Sequence, residues 1–341
     1  MSVILGFLHM DPLENAEERY RIQLSERCTA SPDLIAKGAP LPALKGKLGS
    51  RREKTGNDSS CLDQVQRYQT EANAGRTLYL DLMKRCLLNS IYGDVELTSI
   101  CPRSFLTRKL VNLFAAKGIR LVRPRPVDLE ARLSGRDHPV KAHTMIGLRR
   151  LDNLQQCIED VIRRRIPGDL IETGVWRGGA SIFMRAILKA HDVTDRCVWV
   201  ADSFQGLPPP NPQQYPADSG DSHNLNDTLK VDVEEVRSNF EKYGLLDEQV
   251  RFLKGWFSET LPKAPIKHLA VIRLDGDMYE STMDAMMALY PKLTPGGYLI
   301  VDDYGYLPSC RQAISDYRES NQIRDKIHTI DWTGVYWQRG S

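Results

Sequence analysis

Asp169-Leu170-Ile171-Glu172-Thr173-Gly174-Val175-Trp176-Arg177-Gly178-Gly179 decides how this chain is read. An apolar run ending in an acid reads as a buried strand, and the glycines after it as a tight turn into a helix over Gly179 to Ala190. The alternation continues downstream. Strands are expected over 197–202, 250–253, 269–274 and 298–302, with helices over 233–243, 281–290 and 308–318. Two strand-like runs, 326–331 and 335–338, close the chain around Trp332-Thr333-Gly334. Strands alternating with helices mean a parallel sheet covered on both faces. So short a final turn permits only an antiparallel pair. The fold class is therefore α/β: a Rossmann-like, seven-stranded sheet with a terminal antiparallel hairpin, preceded by helices.

Outward from that core, a helix is expected from Leu148 to Arg165, ending before Pro167-Gly168. Leu78, Leu82, Cys86 and Ile91 fall near helical spacing, as does the stretch from Phe105 to Phe114, and Arg123 to His138 reads as a polar, proline-containing connection. A short helix is expected after Pro12, through Tyr20-Arg21-Ile22-Gln23-Leu24, followed over 37–60 by a glycine-, proline- and base-rich flexible linker. The organisation is thus an N-terminal extension and linker over 1–60, a helical region over 61–166 and the sheet-bearing core over 167–341.

The 341 residues carry 46 Lys plus Arg against 44 Asp plus Glu, a net charge of +2 that gives no electrostatic case for nucleic acid or a membrane surface. The apolar run Val3 to Leu8 is far short of the roughly 20 residues that span a bilayer. It lacks the basic flank and small-residue cleavage site of a signal peptide. None of the 7 cysteines forms a C-x-x-C pair, so reduced thiols and a cytoplasmic location are expected.

In a doubly wound sheet, ligands sit at the carboxyl ends of the strands, and the acids gather there. Glu172 ends the first strand and Asp202 the second; Asp275 follows the fourth, and Asp302-Asp303 the fifth. The turn after Glu172 is spaced Gly-x-x-x-Gly-Gly, and Trp176 and Arg177 spoil a pyrophosphate cradle, which weighs against a nicotinamide cofactor. Asp202 suits a ribose diol, so Glu172 and Asp202 together describe a nucleoside without phosphate, as in S-adenosylmethionine. Trp256 is placed either to stack on an adenine or to pack in the core.

Asp275, Asp277, Asp302 and Asp303 should converge, and four close carboxylates need a cation to neutralise them. An all-oxygen set without His or Cys favours Mg²⁺, Mn²⁺ or Ca²⁺ over Zn²⁺. Asp277, just past the strand end, is the expected general base, with His223 in the long loop 203–227 as its competitor.

Several blocks in order resemble the macrocin O-methyltransferase family, the sugar O-methyltransferases of macrolide and aminocoumarin biosynthesis. They are Tyr79-Leu80-Asp81-Leu82-Met83-Lys84-Arg85-Cys86, Thr144-Met145-Ile146-Gly147, the 172–179 turn, Asp202-Ser203-Phe204, the 274–282 stretch and Asp302-Asp303-Tyr304, a resemblance running from about Arg76 to Gln338. It implies a class I methyltransferase fold using S-adenosylmethionine and Mg²⁺. It implies metal ligands at Asp275, Asp302 and Asp303, a base at Asp277, and a cofactor held by Glu172, Gly174, Asp202 and Ser203 with Thr144 and Met145 near its methionine end. It also implies homo-oligomers, dimers or tetramers, formed through the helices before the sheet. Residues 1–75 have no counterpart in it, and the first 60 are a place for docking to a biosynthetic partner. The acceptor expected is a hydroxyl of a secondary metabolite, on a sugar in the first reading and on a polyketide, phenol or carrier-bound intermediate in the second.

Overall fold

The computed structural model describes residues 58–92, 95–100, 102 and 104–340. The helix expected after Pro12 and all but the end of the 37–60 linker lie outside the described residues. The described residues fall into two compact units, 58–65 with 99–123 and 66–98 with 124–340. A long helix, α1 (Asp58–Leu87), contributes Leu80, Met83 and Leu87 to the core of the larger unit, ahead of the short strand β1 (Val95–Ser99). In the smaller unit, α2 (Phe105–Ala115) starts at a reciprocal cap. The Ser104 hydroxyl accepts the Thr107 N–H at 3.3 Å, and the Thr107 hydroxyl accepts the Ser104 N–H at 3.2 Å.

The polar, proline-containing connection over 123–138 carries most of β2 (Val122–Pro126) and all of α3 (Leu129–Leu133). Five residues are too few for a helical period to show in sequence; α3 depends on the Asp128 carboxylate, which accepts the Ala131 N–H at 2.9 Å. The next helix, α4 (Gly147–Arg163), turns Leu151, Leu154, Ile158 and Val161 inward at helical spacing.

The sheet of the larger unit has the order β5-β4-β3-β6-β7-β9-β8. It comprises β3 (Asp169–Thr173), β4 (Val198–Asp202), β5 (Val250–Lys254), β6 (Leu269–Leu274), β7 (Leu293–Val301), β8 (His328–Thr329) and β9 (Val335–Gln338). The first five in that order are parallel, and β9 pairs antiparallel with both β7 and β8. Helices α5 (Gly179–Ala190), α6 (Val233–Lys242), the short α7 (Phe257–Thr260), α8 (Tyr279–Leu289) and α9 (Pro308–Ser320) complete the expected alternation. Strand side chains alternate between faces, so neighbours Leu170 and Ile171 enter two separate cores. One holds Phe183, Val198 and Val271, the other Trp199, Ile272 and Trp337. Each large apolar side chain buried this way stabilises the fold by roughly 1.5–3 kcal/mol.

Winding reverses between β3 and β6, which lie side by side although strands β4 and β5 intervene in sequence. A crevice opens at the carboxyl ends of strands at such a reversal. Among the described residues, no helix is long and apolar enough to cross a membrane.

Candidate active site

The turn after β3 is built against the start of the Asp275 segment. The Asp275 N–H donates to the Thr173 carbonyl at 2.9 Å, and a Cβ on Gly174 would fall 1.7 Å from the Asp275 carbonyl oxygen. Gly174 also sits at φ +79°, so no other residue fits there without moving backbone. Asp202, at the end of β4, ties the same turn from the other side. One carboxylate oxygen accepts the Val175 N–H at 2.8 Å and the other accepts the Phe204 N–H at 2.7 Å. Burial raises the Asp202 pKa while those amides pull it down.

Thr144, Met145, Glu172, Gly174, Asp202, Ser203 and Trp256 all line one cavity of about 840 Å³, together with His223, Asp275, Asp277 and Asp303. A glycine turn, a carboxylate with oxygen lone pairs to spare and an indole on one wall fit a nucleoside.

Three of the four acids come together. Asp275, Asp277 and Asp303 each offer an oxygen within 4.8 Å of the others. Burial raises all three pKa values, aided by the charge of Asp302 on Asp275 and by neighbouring carboxylates, Asp275 among them, on Asp277 and Asp303; Asp277 is pushed up to about 7. Asp303 Oδ2 is buried with no hydrogen-bond partner. An orphaned carboxylate oxygen in an all-oxygen trio, with no His or Cys among the donors, fits a hard divalent cation.

Asp302 points elsewhere. Its two oxygens are ion-paired to Arg273 and Arg150, and it does not border the cavity. Arg273 is 1% exposed and also donates to Glu172 Oε1 at 2.7 Å and to Asp275 Oδ2 at 2.8 Å. The other Glu172 oxygen accepts from Ser181, so both are occupied by protein groups. Burial pushes Glu172 up to about 7 against the pull of Arg273. Arg150 goes on to Asp331 at 3.0 Å and to the Gly135 carbonyl at 3.3 Å.

These two guanidiniums were absent from the sequence-derived site. Arg273 had a signal, a lone charge in the apolar strand Leu-Ala-Val-Ile-Arg-Leu, every residue of which is buried. Arg150 had none, since its acidic partners lie 152 and 181 residues away.

His223 sits on the long loop, with Nδ1 2.8 Å from Asp221 Oδ2. Burial lowers its pKa, but the Asp221 hydrogen bond and the Asp277 charge outweigh that and leave it raised. Elsewhere on the cavity wall, the Trp332 indole N–H donates to the Ser134 carbonyl at 2.9 Å, and Tyr306 meets its ring edge-on at 5.5 Å.

Comparison with known proteins gives this arrangement its context. The model of the macrocin-O-methyltransferase (TylF) family matches residues 76–339. The demethyldecarbamoylnovobiocin O-methyltransferase of Streptomyces niveus is 51% identical over 271 residues, covering 79% of this chain and 96% of that one. The mycinamicin III 3''-O-methyltransferase of Micromonospora griseorubida is 48% identical, covering 79% and 99%. The solved structure of the O-methyltransferase NovP is 50% identical and superposes with a TM-score of 0.68 over 78% of this chain and 100% of that one. Glycine turn, acid trio and sheet order all lie inside the matched span, and the chain belongs to the macrocin-O-methyltransferase (TylF) family of S-adenosylmethionine-dependent O-methyltransferases.

Proposed function

We propose that this enzyme methylates a sugar hydroxyl of a glycosylated natural product, with Mg²⁺ as cofactor and Asp277 as general base. The observation that carries the reading is the convergence of Asp275, Asp277 and Asp303 on the cavity that Gly174 and Asp202 also line. Asp275 and Asp303 would hold the ion, and Asp302 would join them by giving up one of its guanidinium partners. Mg²⁺ held there would supply positive charge that lowers the pKa of the acceptor hydroxyl.

The chain's own residues do the rest. Asp202 receives the ribose hydroxyls of S-adenosylmethionine, and the glycine turn lets backbone approach its methionine portion. Asp277, with a pKa near 7, is poised to take the acceptor proton at neutral pH. Tyr306 and Trp332 offer a fixed apolar corner for one face of a pyranose ring. No covalent enzyme intermediate is needed, because positioning and charge neutralisation lower the barrier to in-line transfer. Names of relatives support the acceptor class: one is a demethyldecarbamoylnovobiocin and another a mycinamicin III 3''-O-methyltransferase, and a third, from Streptomyces olivaceus, is a rhamnosyl-tetracenomycin 4'-O-methyltransferase.

The test is a calorimetric titration with S-adenosylmethionine, then a methyl-transfer panel of demethylated glycosides and their free aglycones, with EDTA and with added Mg²⁺. Turnover of glycosides that EDTA abolishes and Mg²⁺ restores is expected. Turnover of aglycones alone moves the acceptor to a non-sugar hydroxyl, and EDTA-resistant turnover removes the metal. Asp277→Asn should bind S-adenosylmethionine normally yet lose turnover. An active variant passes the base role to His223.

A further inference from the structure

Asp277 occupies a position that its own neighbours do not hold in place. It sits at φ +60°, in a three-residue turn closed by the Met278 N–H donating to the Gly276 carbonyl at 2.6 Å. Turns of that form with positive φ are rare and strained, and they persist only where surrounding structure enforces them. Helix α8 begins directly afterwards, and its N-cap residue, Met278, has no side chain able to receive the helix's free N–H groups.

The missing acceptor comes from 61 residues upstream. Asp218 is 1% exposed, on the long loop after β4; one of its carboxylate oxygens accepts the Tyr279 N–H at 2.7 Å and the other accepts the Glu280 N–H at 3.0 Å. A second contact follows the same path. The Tyr215 ring lies 6.0 Å from that of Tyr279, whose hydroxyl donates to Asp316 on α9 at 3.0 Å. The loop that supplies this cap also brings Pro208, Pro209, His223, Asn226 and Leu229 to the cavity wall.

We propose that Asp218 is a positioning residue for Asp277: by capping α8 from the loop, it holds the strained turn that aims the base and makes the seating of the loop a condition for the base to be in place. The inference rests on the reading of Asp277 as general base. Asp218 itself does not line the cavity.

Two full-length variants test it, Asp218→Ala, which removes both acceptors, and Asp218→Asn, which keeps one. Hydrogen exchange read by mass spectrometry, with S-adenosylmethionine bound, should show segments 214–219 and 276–282 of Asp218→Ala opening together. Their exchange should be about tenfold faster, with β3 and β6 unchanged. On whichever glycoside of the panel the wild type methylates, kcat should fall about 10- to 100-fold while the S-adenosylmethionine Kd stays within about threefold. Asp218→Asn should recover much of both. The inference is overturned if 276–282 keeps its protection when the loop loses it, or if kcat is unchanged in a variant whose turn has opened. The base reading fails separately, through an active Asp277→Asn, and the exchange result does not depend on it.

Discussion

At the scale of single residues, the site is organised around a cation the chain supplies itself. The buried Arg273 is ion-paired with Glu172, Asp275 and Asp302 at the base of the cavity. Removing one partner of a buried ion cluster leaves the others charged and unsolvated, at a cost of about 3–5 kcal/mol. Arg273→Met should therefore lower unfolding free energy by about that amount in urea denaturation, well before any question of turnover arises. A loss under about 1 kcal/mol would mean that the carboxylates do not depend on Arg273 as their counter-ion.

His143 makes a second residue-scale case. Burial, then the nearby Lys242 and Arg177, push its pKa down to about 4 from 6.5, and its Nδ1 pairs with the Tyr243 hydroxyl at 2.8 Å. The unfolded chain takes up this proton near pH 6.5 and the folded one only near 4, so stability falls as pH drops across that window. Thermal melting at pH 7.5 and pH 5 should show a smaller decline for His143→Gln than for the wild type. Equal declines would place the acid sensitivity elsewhere.

At the scale of elements, the turn between β3 and α5 is the least replaceable piece. Gly174→Ala puts a methyl inside the Asp275 carbonyl and adds a positive-φ penalty. Expression should yield little folded protein, or a folded one that no longer binds S-adenosylmethionine in calorimetry; normal binding would show that the two turns can separate.

Much of this element pattern was legible in sequence. The bounds of β3, α5, β6 and β9 were read to the residue because each is a buried run flanked by glycine, proline or an acid. The strand β7 starts earlier than its apolar stretch, at Leu293, because Pro295 and Gly296 mask an extended segment. Acids at strand ends were readable for the same reason, since the fold dictates where strand ends go. Asp218 and Arg150 were not, because a long-range cap and a long-range ion pair leave no local period or spacing.

At the scale of the whole molecule, α1 decides how much of the N-terminal region the fold needs. Leu80, Leu87 and Leu88 are at most 1% exposed in the core of the larger unit. A chain beginning at residue 58 should melt within a few degrees of the full-length protein, as the polar, glycine-rich composition before it implies. A chain beginning after residue 88 loses all three leucines, at about 2–5 kcal/mol apiece, and should not fold. Circular dichroism on both separates the outcomes. Collapse of the longer chain would assign the first 57 residues a structural role.

The backbone crossing of Gly174 over Asp275 also bears on how such an enzyme changes its acceptor over generations. Two loops locked through main-chain atoms should not be exchangeable one at a time, so the donor turn and the Asp275 segment should travel as a single cassette. The cavity wall around Gly135, Tyr306 and Trp332 is held by side chains and also by backbone, the Gly305 N–H donating to the Thr333 carbonyl at 2.7 Å. A chimera that exchanges that wall between relatives with both of its turns together should keep its methyl donor and change only its clientele.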